Sequence, residues 1–592
     1  MDLKSCPSLP YLFAAQAKRL GGRPFLWAKR QGDWRSLSWQ NAALEVAHLA
    51  KALQALGVEA GDRVMLVSES RPEWFVADMA IMTIGAISVP AYVTNTHADH
   101  AHVLNDSGAR LVIVSTPALT ERVLRAALSA RHNPKIIAIE PPDLDQNPGI
   151  DLIRWQDALD LGRTAGEHVF PELARTDTAC LIYTSGTGGV PKGVMLSHGA
   201  LLHNVDGARI LLESLGLDDE VFLSFLPLSH SYEHTAGLLF PMAIGAQIYF
   251  CEGVEKLSDN MIEASPTIMT AVPRLYETLR GRILKGVERT GGFKQTLFMK
   301  ALDLGSRAYE KPGSLSLLGR LINVLLERLV RDKVRARFGG RLKALVSGGA
   351  PLNYEVGLFF TALGLRILQG YGQTESAPVI SCNTPLRSKL HTVGPPLAET
   401  EVRIAEDGEI LVKGELVMQG YWNHPKATAQ VLQEGWLHTG DIGRFDEDGY
   451  LQITDRKKDI IVNSGGDNIS PQRIEGLLTL EPEIAQAMVH GDKRPHLVAL
   501  IVPDEEFAKS WAQANQTPFS IEGLAENPAF HKAIREALDR VNKGLSNIEK
   551  VRRFLLVPEP FTVANEMMTP TLKIRRHIIR KTWGDRLEAL YE

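Results

Sequence analysis

Apolar residues fall into short runs separated by stretches of helical spacing over most of this chain. Residues 63–68, 86–90, 111–114 and 136–139 are β-rich runs, while residues 72–85 and 118–130 between them carry helical periodicity. Residues 10–60 read as helical and amphipathic, with 39–56 the clearest segment, stopped at Gly57. Strands alternating with helices predict an α/β fold on mostly parallel, doubly wound sheets. Such sheets collect ligands beyond the carboxyl ends of their strands. The buried runs at 179–183, 222–225 and 342–347, and the one that begins at Ile367, each exit into a loop of glycines or polar side chains.

The pattern changes after residue 388. Residues 401–404 and 409–412 alternate around Asp407-Gly408, a hairpin signal that predicts a small β-barrel or second sheet. Farther on come a helix at 472–480, strands at 485–489 and 497–502, a long helical stretch and a strand at 551–557. A chain of 592 residues exceeds what one core serves, so at least two domains are expected. The charge cluster Asp455-Arg456-Lys457-Lys458-Asp459 reads as a solvated linker between a large domain (1–455) and a small α+β C-terminal domain (456–592). Residues 280–340 stand apart: they are rich in Lys and Arg, with Leu318, Leu321, Ile322, Leu325, Leu326, Leu329 and Val330 at helical spacing. They predict a helical insertion packed on the surface. A membrane-facing region is the second reading, because basic amphipathic helices bind anionic lipid surfaces.

Candidate chemistry concentrates at residues 183–198, Tyr-Thr-Ser-Gly-Thr-Gly-Gly-Val-Pro-Lys-Gly-Val-Met-Leu-Ser-His. Glycines let backbone N–H groups approach an anion and form a concavity around it. Gly186, Gly188, Gly189 and Gly193 supply that freedom, Thr184, Ser185 and Thr187 add hydroxyl donors, and Lys192 adds positive charge. This is a loop for phosphates. It is not the Gly-x-x-x-x-Gly-Lys-Ser/Thr loop, since Pro191 precedes the lysine and Gly193 follows it.

Composition narrows the setting. A formal net charge of −4 argues against nucleic-acid binding. Cys6, Cys180, Cys251 and Cys382 are widely spaced and form no C-x-x-C, so neither a disulfide framework nor a zinc site is expected, and a cytoplasmic location fits. The longest apolar runs, 79–93 and 236–250, fall short of the roughly 20 residues of a spanning helix. No secretory pattern opens the chain. Peripheral contact at the inner membrane face stays open.

Residues 183–198 resemble the nucleotide-binding loop of the adenylate-forming (AMP-binding) ligase superfamily, which includes acyl-CoA synthetases, luciferases and peptide-synthetase adenylation domains. Gly188 departs from the pattern, where the family usually carries Thr or Ser, so one hydroxyl donor is lost. Further matching stretches at 225–237, 347–352, 369–375, 436–456, 458–475 and 569–576 follow in family order. The segment 434–458 and the insertion at 280–340 look like the long-chain acyl-CoA synthetase branch, in which the insertion would also serve as a gateway for a fatty substrate.

The resemblance implies a site. Thr184, Ser185, Gly186, Thr187, Gly188 and Lys192 would hold the phosphates of ATP. Gly348, Gly349 and Ala350 would pack the adenine. Within Gln369-Gly370-Tyr371-Gly372-Gln373-Thr374-Glu375, Tyr371 offers a ring to stack, Thr374 a phosphate donor and Glu375 a hard oxygen for Mg²⁺, with Thr184 as its second metal ligand. Asp441, presented from a tight glycine turn, would accept from two ribose hydroxyls. Arg456 would contact ribose, and Lys458 would be the pivot of a hinge near 455–459 that makes the C-terminal domain a mobile lid. His230 would line the acyl and adenylate pocket from a loop that also carries Tyr232, Glu233 and His234. Gly466 would lie near the CoA thiol channel, where only glycine leaves room. Lys573 would swing in to the substrate carboxylate and α-phosphate. Lys573, Glu375, Thr184 and His230 are thus the expected catalytic set, whereas Arg575, Arg576, Arg580 and Lys581 read as a solvated helix face.

The activity this implies is ATP-dependent activation of a fatty acid to acyl-AMP, with pyrophosphate release, then transfer to CoA. Two other readings stay open: a ligase that passes the acyl group to a carrier protein, and a non-catalytic lipid- or nucleotide-binding relative. Acyl chain length, saturation and a homodimer also stay open.

Overall fold

A computed structural model describes residues 2–143, 149–166, 170–184, 190–569 and 573–592. Among these residues the large domain holds two eight-stranded sheets and a five-stranded one. The first sheet runs in the order Gly420–Tyr421, Lys192–Ser197, Thr178–Thr184, Ile87–Ala91, Arg63–Val67, Leu111–Val114, Lys135–Ala138, Leu152–Arg154. Its strands from Thr178–Thr184 through Leu152–Arg154 are parallel, and the hairpin Thr178–Thr184/Lys192–Ser197 closes it antiparallel. The second runs Val379–Cys382, Ile367–Gly372, Ala344–Ser347, Ile268–Ala271, Val221–Ser224, Gln247–Phe250, Pro24–Arg30, Asp33–Ser38. Its antiparallel pairs lie at its two edges. The strands bury whole apolar runs such as Leu111–Val114 because helices cover them.

The start of the chain differs from the helical reading of 10–60. Leu9–Leu20 and Trp39–Ala55 are helices, but Pro24–Arg30 and Asp33–Ser38 between them form a hairpin. Gln31 and Gly32 both take positive φ (55° and 88°), the backbone that suits a tight two-residue hairpin. Phe25 stacks on Trp39 at 3.6 Å and meets Phe75 edge-on at 5.0 Å, which docks the hairpin on the core. The aromatic alternation around Gln31-Gly32 was the signal for it.

The five-stranded sheet has the order Glu401–Ile404, Glu409–Lys413, Trp436–Phe445, Leu432–Gln433, with Leu451–Arg456 also paired to Trp436–Phe445. The C-terminal region carries its own three-stranded sheet, Ile484–His490, Leu497–Pro503, Val551–Leu556. Its apolar cluster is separate from those of the large domain. The expected long helical stretch is three helices, Glu505–Ala514, Ile521–Ala525 and Pro528–Lys543.

The insertion is a helical layer: Pro273–Thr290, Gly292–Glu310, Leu317–Leu326, a π-helical turn at Glu327–Arg331 and Asp332–Arg337. One buried cation holds it. Arg331 donates from Nε to the Ala362 carbonyl (2.7 Å) and from Nη2 to the Ala301 carbonyl (3.0 Å) and Asn323 Oδ1 (2.8 Å). Gly305 lets the layer sit close, since a Cβ there would lie 2.5 Å from the Ala362 carbonyl oxygen. Replacing Arg331 with Met leaves the Ala362 carbonyl and Asn323 Oδ1 without this donor, and the expected loss is about 3 kcal/mol. Urea unfolding of the variant, followed by tryptophan fluorescence, measures it.

Candidate functional site

Three separately built pieces meet where the first sheet ends. The hairpin places Thr184 opposite Lys192. It is packed tightly, because a Cβ on Gly193 would come within 3.1 Å of the Tyr183 ring, which itself donates to Asp106 at 2.7 Å. The short strand Gly420–Tyr421 pairs with the hairpin, and Lys192 Nζ stands 5.1 Å above the Tyr421 ring. Tyr421 Oη then donates to Glu375 Oε1 at 2.8 Å, and the Met418 N–H donates to the Glu375 carbonyl at 2.9 Å. Tyr421 was missed by sequence reasoning. Its one sequence signal is the aromatic pair Tyr421-Trp422 after a glycine in a polar stretch.

A second wall comes from Ile367–Gly372 and Trp436–Phe445. Tyr371 Oη donates to Asp441 Oδ2 at 2.7 Å, and Arg456 Nε lies 3.3 Å from Asp441 Oδ1. Asp441 and Arg456 are direct cross-strand partners, so Arg456 belongs to the sheet and not to a free linker, and Asp441 sits on a strand rather than at the tip of a turn. Burial raises the Asp441 carboxyl pKa, opposed by Arg456 and the Tyr371 hydroxyl. Gly348 follows the strand Ala344–Ser347, and a Cβ there would touch the Tyr232 ring at 3.0 Å. Gly349 takes φ 82°, and Ala350 is exposed beside it. Gly372 is required by packing, since its Cβ would overlap the Pro378 carbonyl oxygen of the neighbouring strand, and Gly370 likewise faces Ser381 O at 3.2 Å. Gln369 is buried in the same strand.

The predicted histidine loop splits in two. His230 stays in the loop, and its Nδ1 accepts from the Tyr232 N–H at 3.1 Å, which leaves the proton on Nε2. Burial, with Lys573 adding to it, pushes its pKa down to about 4, so the imidazole is neutral. Ser231 Oγ meets Thr374 Oγ1 at 3.0 Å and ties this loop to the Glu375 turn. Glu233 and His234 instead begin a buried π-helical segment, Glu233–Leu239. Glu233 accepts from Ser224 and Thr270, both at 2.6 Å, and burial pushes its pKa up to about 7 against those two bonds. His234 Nε2 lies 2.9 Å from Asp78 Oδ2 with both side chains fully buried, so neither reaches a substrate.

Lys573 stands across the cleft. It keeps exposed surface, and its backbone pairs with Thr569. The crowding of the cleft lowers its ammonium pKa, and Arg456 lowers it further, while Asp441 and Glu375 act to raise it. One lysine thus senses groups from both walls. A cavity of about 450 Å³ opens at this seam, lined by Thr184, Lys192, Glu375, Lys458, His490 and Arg580 among others. Arg576 does not belong to a solvated face: its guanidinium is paired with Glu475 at 2.5 Å, whereas Arg580 and Lys581 are exposed. Gly466 is exposed, takes φ 87° and has open space where a Cβ would go, so a left-handed turn rather than room is what requires glycine in this arrangement. Ser185, Gly186, Thr187, Gly188 and Gly189 lie outside the described residues.

No cluster of three or more His, Cys, Asp or Glu side chains among the described residues makes a metal cage. Glu375 and Thr184 both line the cavity and offer hard oxygens. That donor set fits Mg²⁺, which is commonly held by one or two protein oxygens together with substrate phosphates.

This arrangement is a cavity walled by a large domain on one side and a C-terminal one on the other. Residues 13–422 match the AMP-binding enzyme family and residues 458–592 the AMP-binding enzyme C-terminal domain. The chain belongs to the AMP-binding enzyme family. A long-chain-fatty-acid–CoA ligase of Mycobacterium tuberculosis is 35% identical over 575 residues, 95% of this chain and 93% of that protein. The peroxisomal long chain acyl-CoA synthetase 7 of Arabidopsis thaliana is 32% identical, across 95% and 82% of the two chains. Among solved structures, the adenylation domain of a carboxylate reductase from Mycobacterium chelonae superposes with a TM-score of 0.76 at 22% identity, covering 99% of this chain and 91% of that one.

Two outcomes follow from this geometry. Tyr421→Phe removes the donor on Glu375 and keeps the ring under Lys192, so the Mg²⁺ concentration for half-maximal ATP turnover should rise about tenfold. A Mg²⁺ titration checks it. His230 is already neutral well below neutral pH, so its titration should add no limb to the rate profile between about pH 5 and 8. His230→Gln should lower the rate while preserving the shape of that profile.

Proposed function

We propose that this chain is an ATP-dependent acyl-CoA synthetase that activates a long-chain fatty acid. The observation that carries the reading is the cavity lined by Thr184, Lys192 and Glu375 of the large domain and by Lys458, His490 and Arg580 of the C-terminal one. The linked trio Tyr371, Asp441 and Arg456 supports it, as does Lys573, whose ammonium feels Arg456, Asp441 and Glu375. The near full-length similarity to fatty-acid CoA ligases supports the substrate class. The same reading makes 456–592 a lid that turns near residues 455–459.

A carboxylate is a poor electrophile, and joining it to AMP cures this. One carboxylate oxygen attacks the α-phosphorus of ATP, the α–β anhydride bond breaks, and pyrophosphate leaves with the electron pair. The thiolate of CoA then attacks the acyl carbon, and AMP departs. The first step asks the protein for in-line placement and charge neutralisation rather than covalent chemistry. Lys192 would meet the outer phosphates, Asp441 the ribose, and Lys573 both the carboxylate and the α-phosphate. Glu375 and Thr184 would hold Mg²⁺, which supplies charge neutralisation at the phosphates. Neutral His230 would donate from Nε2 as a positioning group at the acyl end.

Lys573→Ala should slow acyl-AMP formation by about 10²–10³. It should leave thioester formation from pre-made acyl-AMP near the wild-type rate. Equal loss of both half-reactions contradicts the role. Pyrophosphate release with acids from acetate to oleate, with and without CoA, tests the whole reading. Turnover that needs CoA and peaks at long acids supports it. Adenylate that accumulates regardless of CoA points to a carrier-protein acceptor instead.

A further inference from the structure

We propose that the insertion is a docking surface for an anionic lipid bilayer, with the helix Leu317–Leu326 lying flat in the headgroup boundary. The helix has two apolar faces. Ile322 and Leu326, followed by Val330, turn inward and pack on the apolar cluster beneath. Leu317, Leu318, Leu321, Val324 and Leu325 turn outward at 79%, 68%, 69%, 70% and 57% exposure. At 100° per residue these five span an arc of about 120° on one side of the helix. Scattered exposed leucines are ordinary, but a contiguous apolar stripe of this kind marks an interaction site.

The stripe cannot roll inward. Arg331, buried at the end of the next turn, is fastened to the Ala301 and Ala362 carbonyls and to Asn323 on the helix itself. The fold therefore fixes the outward face.

Charge selects the occupant. Residues 280–340 hold 14 Lys and Arg against 5 Asp and Glu, a balance of +9, in a chain whose net charge is −4, which leaves the remainder at −13. The acids inside this stretch are largely engaged: Asp303 with Arg307, Glu327 and Asp332 with Arg335. Arg282, Arg289, Lys294, Arg320 and Arg328 have exposed side chains. A second copy docking symmetrically on the same face would set this charge against itself. An anionic lipid surface attracts it and also takes the leucines into its acyl boundary. No helix among the described residues is long and apolar enough to cross a membrane, so the contact is peripheral.

Flotation of the full chain with vesicles tests this, using phosphatidylcholine alone and phosphatidylcholine with one-third phosphatidylglycerol. The wild type should float with the anionic vesicles, and added salt should weaken it. The triple variant Leu318→Ser, Leu321→Ser, Leu325→Ser should bind at least about tenfold less, as should Arg320→Glu with Arg328→Glu. Those side chains are exposed, so thermal melting should not move. If the leucine variant misfolds, the arginine variant decides. Wild-type protein that ignores anionic vesicles overturns the proposal, as do variants that bind as well as wild type. So does a lipid-free dimer that the leucine variant converts to monomer without loss of vesicle binding. The readout is binding and not turnover, so failure here is distinct from failure of the substrate reading.

Discussion

The hydrogen bond from Tyr421 to Glu375, 2.8 Å long, joins pieces that fold around different sheets. Tyr421 belongs to the edge of the first sheet, beside the hairpin Thr178–Thr184/Lys192–Ser197, while Glu375 follows a strand of the second. One backbone bond, from the Met418 N–H to the Glu375 carbonyl, also crosses here. Among the described residues the carboxylate is aimed by one phenol, whose ring also lies under Lys192. The cation lies over the face of the ring and the anion at its hydroxyl, so one side chain limits where both can stand. The placement of hard oxygens and positive charge at the cleft depends on that ring.

Behind it lie polar groups that no substrate reaches. Glu233 accepts two hydroxyls, and His234 meets Asp78 in a region with no exposed surface. Buried polar contacts of this kind add little net stability, yet they are costly to break because each partner would be left unpaired in a low-dielectric interior. They hold the π-helical segment Glu233–Leu239 in one register. Ser231, two residues before that segment, then reaches Thr374, so the loop of His230 and the turn of Glu375 are positioned together.

The insertion follows a different logic. Its inner face is spent on the apolar cluster, and Arg331 locks the layer by satisfying the helix-end Ala362 carbonyl while also bonding the Ala301 carbonyl of the helix beside it. Once locked, the leucines on the outer side have nowhere to go. Helical spacing identifies an apolar helix but not which of two apolar sides packs inward, because Leu318, Leu321 and Leu325 are no less hydrophobic than Ile322 and Leu326.

Much of the layout was written locally. Strands such as Arg63–Val67 and Leu111–Val114 and helices such as Pro72–Thr83 follow from period and breakers, because runs of β-branched and apolar residues between glycines have few other options. The glycine-and-hydroxyl stretch before Lys192, with the ordered motifs after it, pointed to the family. The hairpin Pro24–Arg30/Asp33–Ser38 was misread because its reward is tertiary: Phe25 gains by stacking on Trp39 and meeting Phe75 edge-on, and local spacing does not record that. Tertiary structure alone decided that Tyr421 aims Glu375, that His234 is a core group while His230 faces the cleft, and that Arg576 is consumed by Glu475. Each is a contact between residues about 45 or more apart in sequence. A side chain's type limits what it can do, but only the partners that folding brings to it determine its charge state, its orientation and its reach.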